Sequence, residues 1–153
     1  TILLTALLAL PATAAVRAAG APAAGQVNTE GGAALQGYDP VAYFVDGRSV
    51  PGQPTITAAH DGATYRFASE ANRSAFLANP AKYLPAYGGW CAYGMARGYK
   101  AIVDPRAFAI VDGRLYLNYN AAIQAQWRRD TPGEISRADS NWPLVRQSPD
   151  VAR

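Results

Sequence analysis

From about residue 35 onward, short apolar runs alternate with punctuation by glycine, proline and asparagine. Asp-Gly dipeptides at 46–47, 61–62 and 112–113 each lie between β-prone runs, and Asp-Gly favours the tight turn whose two central residues take positive φ. They predict three hairpins: 41–45 with 48–50, 55–60 with 63–67, and 108–111 with 114–117. In the second, Tyr65 and Phe67 share a face and Arg66 takes the other. Helical patterns fill the gaps. Ser69 is placed to cap a helix over 70–78 that turns Phe76 and Leu77 inward, and Asn79-Pro80 ends it because the residue before proline avoids the α region. A short helix is expected from Gly89 to Gly98, with Cys91 in its first turn and Gly98 in the left-handed closing position. Asn118 or Asn120 starts a helix carrying Ile123 and Trp127. Thr131-Pro132-Gly133-Glu134 reads as a capping box opening a helix with Ile135, Ala138 and Trp142 on one face, closed by Pro143. The expected architecture is a single α+β domain, antiparallel β-hairpins packed against three or four short helices.

The opening differs from the rest. Residues 1–10 form an apolar run too short to span a bilayer, and the small residues of Pro11-Ala12-Thr13-Ala14 follow. This pattern reads as the remnant of a secretory signal over 1–14, cleaved after Ala14 or, alternatively, Ala19. A flexible leader rich in alanine and glycine is expected over 15–34, the folded domain over 35–145, and a tail over 146–153. A periplasmic or secreted protein that does not span the membrane is implied. The net charge of +3 is modest and the arginines are scattered, so the chain lacks the basic stripe that a nucleic acid backbone selects.

Cys91 is the one cysteine, so no internal disulfide forms and stability rests on packing. Cys91-x-x-x-Met95 has the i, i+4 spacing that on a helix places both sulfurs on one face, about 5 to 6 Å apart at Cβ. That pair suits a soft ion such as copper(I), with His60 as a candidate third ligand. Two other readings of the same cysteine stay open: a buried small hydrophobe beside a gap-filling methionine, and a thiolate favoured by the start of a helix. With His60 the one histidine and no C-x-x-C, a catalytic triad and dithiol exchange are both disfavoured. Tyr87, Trp90 and Tyr93, flanked by Tyr83 and Tyr99 and interrupted by glycines, make a candidate pocket for a haem, an apolar molecule or a protein partner, or else part of the core. Asp39-Pro40 and Asp104-Pro105 read as turns or helix starts, Glu70 and Glu134 as residues serving helix ends, and Trp127 and Trp142 as core anchors.

Gly37-Tyr38-Asp39-Pro40-Val41, then residues 62–69, then residues 76–84 occur in an order that resembles the YHS domain. Residues 87–92, 111–117 and 127–142 resemble its longer, exported bacterial members of unassigned function. In YHS domains attached to heavy-metal pumps, the resemblance implies sulfur ligands in an Asp-Pro-Val-Cys-Gly-Met element and a Phe-Cys-Ser-x-x-Cys element. Here the matching positions hold Ala42, Phe44, Ala68 and Asn72, so that metal site is not expected. The functional expectation is an exported non-enzymatic binding protein, for a soft, copper-like metal ion or metal-containing cofactor held through Cys91. The alternatives are a structural or protein-interaction module with Cys91 packed in its core, and a single-thiol redox role.

Overall fold

The computed structural model describes residues 26–153; the expected signal remnant and most of the leader lie outside the described residues. The chain reaches its first regular element at α1 (Ala42–Val45), where a hairpin strand is expected from the pattern. Asp39 is the reason for the difference: its Oδ1 accepts the N–H groups of Val41 at 2.8 Å and Ala42 at 3.3 Å, which seeds a helical turn. Gly47, at φ 64°, still turns the chain back. The returning segment pairs with residues ahead of the helix, through Asp39 N–H to Val50 O at 2.8 Å and Gly52 N–H to Gly37 O at 2.8 Å.

The other two Asp-Gly turns form as expected, with Asp61 and Gly62 at φ 47° and 76° and Asp112 and Gly113 at 50° and 73°. The first joins β1 (Gln53–His60) to β2 (Ala63–Phe67), with Tyr65 and Phe67 buried. Ser69 caps α2 (Glu70–Ala78) by accepting the Asn72 N–H at 3.1 Å. Phe76 turns inward, but Leu77 stands 49% exposed, since the next residue of a helix points about 100° away around its axis. Pro80 ends α2 and starts α3 (Pro80–Tyr83).

After a tight turn over Ala86–Gly89 comes α4 (Ala92–Met95), much shorter than expected and closed by Gly98 at φ 82°. The chain then runs through β3 (Lys100–Ala101) into the hairpin of β4 (Asp104–Val111) and β5 (Arg114–Asn118). Asn120 caps α5 (Ala121–Trp127) through Ile123 N–H at 2.9 Å. The final helix, α6 (Thr131–Val145), is capped by Asp130, which accepts the Gly133 N–H at 3.1 Å, so Thr131 is not the cap. Glu134 turns instead to Arg97, and Pro143 lies inside the helix rather than ending it. Proline removes one backbone donor, and the bond from Arg146 N–H to Trp142 O at 2.9 Å continues the turn beyond it. Residues Val151–Ala152 form β6, paired in parallel with β3.

The hairpins stay as separate two-stranded ribbons, and the core divides between two sides of β5. Leu115 and Leu117 join a cluster with Tyr43, Tyr65, Phe67 and Phe76, while Tyr116 joins Tyr87, Trp90, Met95 and Trp127. Successive strand residues point to opposite faces, so a strand buried on both sides serves two clusters. Part of the expected leader is packed as well: Ala33 and Ala34 are buried, and Asn28 N–H donates to Gly88 O at 2.8 Å. Among the described residues no helix is long and apolar enough to cross a membrane.

Candidate functional site

Backbone pairing draws Cys91 into the core. Its N–H donates to Ala101 O at 3.1 Å, and it bridges Leu117 in parallel, which sets it between β3 and β5. With φ −57° and ψ 119° it flanks α4 and is not part of the helical turn expected for it. The same-face geometry with Met95 therefore does not arise. Cys91 packs in the first cluster and Met95, fully buried, in the second.

The sulfur has a defined polar setting. Sγ lies 3.8 Å from Asn118 Oδ1, which also accepts the Tyr93 N–H at 3.2 Å. Asn118 is fully buried, and its Nδ2 has no partner among the described residues. Burial pushes the Cys91 thiol above its usual pKa; backbone groups of Gly94, Tyr119 and Tyr93, then the Arg97 charge, pull it back without overcoming that effect. Arg97 is fixed by a bidentate pair with Glu134, at 2.9 and 3.1 Å, and lies 3.3 Å over the Tyr93 ring. Although only 1% exposed, Cys91 lines a cavity of about 210 Å³ walled by Tyr93, Tyr99, Tyr119 and Ile123.

His60 is elsewhere. It ends β1, with Nε2 3.3 Å from Asp61 Oδ2, and lines a separate cavity of about 180 Å³ with Tyr65, Leu84 and Trp142. The two cavities share no lining residue. The expected aromatic patch also divides. Tyr87 and Trp90 pack in the second cluster, where Tyr87 donates to Asp139 Oδ1 at 2.9 Å, and Tyr93 alone of the three reaches the Cys91 cavity. Asn118 and Tyr119 went unrecognised in the sequence as site residues, because the helix-start reading of Asn118 accounts for the same side chain. Lys100, buried, carries no local signal of its importance, whereas the helix-start reading of Asp39-Pro40 agrees with the bonds Asp39 makes at α1.

Asp39 is fully buried and bonded through both carboxylate oxygens. Its Oδ2 accepts Ala68 N–H at 2.8 Å and Asn72 Nδ2 at 2.7 Å, while Oδ1 holds the start of α1. One carboxylate thus ties the Asp-Pro-Val element to the loop entering α2. Residues 41–87 match the family model of the YHS domain. That segment is similar to the YHS domain. No curated protein and no solved structure matches the chain. Within the matched segment, the four positions where the resemblance calls for sulfur hold Ala42, Phe44, Ala68 and Asn72, and the two elements are joined by Asp39 hydrogen bonds. Alkyl and phenyl groups do not ligate, and the Asn72 carboxamide is a hard group already bonded to Asp39, so a soft metal does not fit there. Among the described residues no group of three or more His, Cys, Asp or Glu is placed to hold a metal ion. The Cys91 cavity lies beyond the matched YHS segment, built by residues 91–153.

Proposed function

We propose that this chain is an exported, non-enzymatic binding protein that takes a small, soft ligand into the cavity at Cys91. The observation that carries the reading is a thiol at the wall of a tyrosine-lined cavity, oriented by Asn118. Metal binding is the property associated with the YHS domain, so a copper-like ion is the first ligand to consider. One protein sulfur does not complete a soft-metal site, and Met95 and His60 face other surroundings. A metal would therefore arrive as a small complex, bringing its remaining ligands. The volume of about 210 Å³ is below the roughly 300–1,000 Å³ of pockets for drug-sized molecules, which argues against an enclosed haem.

Copper(I) titration against a competing chelator tests this. Wild-type protein is expected to take up one equivalent, Cys91→Ala none, and Met95→Ala one, even though the last change costs the fold about 2–5 kcal/mol. Because burial holds the proton on the thiol and metal binding must displace it, apparent affinity should rise about tenfold per pH unit below the thiol pKa. Equal uptake by wild type and Cys91→Ala would reject the reading.

A second reading rests on the 1% exposure of Cys91: a structural or interaction module with the thiol as core. It predicts no copper uptake by any variant. A single-thiol redox role is weaker, since a thiol whose pKa is raised offers little thiolate at neutral pH.

A further inference from the structure

Cys91 lines a cavity and yet is almost completely covered, and one wall of that cavity belongs to a thinly held segment. Ala152 and Arg153 line the cavity together with Cys91 and Ala101. They are held by a two-residue parallel pairing of β6 with β3 and by Ile102 N–H to Ala152 O at 3.2 Å. Two further ties fix the segment at either end. The Lys100 ammonium donates to Arg146 O at 2.8 Å and Ser148 O at 2.6 Å, and Arg153 pairs with Glu30 at 2.8 Å.

We propose that residues 146–153 form a detachable cover over the Cys91 cavity, latched by Lys100, whose release admits the ligand. The proposal rests on the binding reading above. Nothing in the segment is fully buried: Val151 is half-buried, whereas Gln147, Pro149, Asp150 and Ala152 are exposed. Segments with few buried apolar contacts and short, exposed backbone pairing open locally at free energies far below global unfolding. Lys100 is different in kind. It is 1% exposed, and its side chain, lying 5.6 Å from the Trp90 ring, reaches two carbonyls of a passing chain. A buried cation directed at carbonyls two residues apart grips the backbone of the segment and is indifferent to its side chains. Its pKa is lowered by burial, the mark of a charge kept from water. The latch residue Lys100 adjoins Ala101, which lines the cavity, so opening the cover and opening the cavity are one motion.

The experiment is the rate of Cys91 modification by an aromatic disulfide reagent at pH 8, in the full chain, across low urea concentrations. A cover predicts that wild-type labelling is faster than global unfolding permits and nearly independent of urea. It also predicts a rise on the order of tenfold or more in Lys100→Met and a smaller rise in Arg153→Ala. Wild-type labelling that follows the full urea slope of global unfolding would overturn the proposal, and this arm decides it even if Lys100→Met does not fold. Unchanged rates in folded Lys100→Met and Arg153→Ala would overturn it equally. Labelling reads access to the sulfur whether or not anything binds. Fast local labelling without copper uptake sinks the ligand reading alone, and copper uptake with globally gated labelling sinks the cover alone.

Discussion

Asp39→Ala should destabilise the fold by about 4 kcal/mol. The carboxylate is fully buried and accepts from Val41 N–H, Ala42 N–H, Ala68 N–H and Asn72 Nδ2. Alanine leaves these donors without their acceptor, and each buried, unsatisfied group costs about 1–3 kcal/mol, partly relieved where water reaches the Ala68 and Asn72 side. Set against a usual total of about 5–15 kcal/mol, that brings the domain near its limit. Asp39→Asn should cost less, because its carbonyl still serves α1, but its NH2 then faces the two donors at Ala68 and Asn72. Urea unfolding of the three proteins measures this. A loss below about 1 kcal/mol in Asp39→Ala would mean that α1 and the α2 entry hold together without the carboxylate.

The second large effect is alkaline unfolding. Tyr43, Tyr65 and Tyr87 are each buried, and burial, reinforced by nearby carboxylates, pushes each phenol well above its usual value of 10.0. A folded-state pKa above the unfolded one gives stability that is fully present below pH 10 and is lost as pH rises from there. In that window the unfolded chain has released protons that the folded protein retains. Each tyrosine contributes a slope of up to about 1.4 kcal/mol per pH unit, so the three together approach about 4. Cys91, also raised, begins the decline earlier, above the ordinary thiol range. Lys100 acts in the opposite sense: its folded pKa is lowered, so stability rises as pH climbs through the window just below the usual lysine value. The urea midpoint should therefore change little up to about pH 9 and fall steeply beyond about pH 10. Tyr65→Phe should remove that tyrosine's share of the slope, up to about 1.4 kcal/mol per pH unit. An unchanged slope in Tyr65→Phe would show that the fall has another origin.

Two of the three expected hairpins stand because their signal is confined to the turn: Asp-Gly tolerates the two positive φ values, and flanking β-branched and aromatic residues do the rest. The first fails although its sequence carries the same dipeptide. There the Asp39 carboxylate, seven residues before the turn, offers backbone donors a helical alternative. The caps at Ser69 and Asn120 were legible for the same local reason as the hairpins, whereas the cap of α6 moved one residue to Asp130 because Glu134 is engaged by Arg97.

The candidate site was legible only in its central residue. Cys91 could be singled out from composition, but the i, i+4 argument linking it to Met95 needs a helix from Gly89, whereas α4 begins at Ala92, one residue after Cys91. Its actual neighbours come from α4, β5, the start of α5 and the segment around Val151–Ala152, which no sequence period relates. What residues near one another in the chain decide, turns, caps and strand faces, the amino-acid sequence determined by itself, since backbone sterics and local hydrogen bonds act over a few positions. Which side of a twice-buried strand holds each aromatic and which residues surround the sulfur were decided only by packing, because those outcomes depend on surfaces contributed by residues tens of positions away.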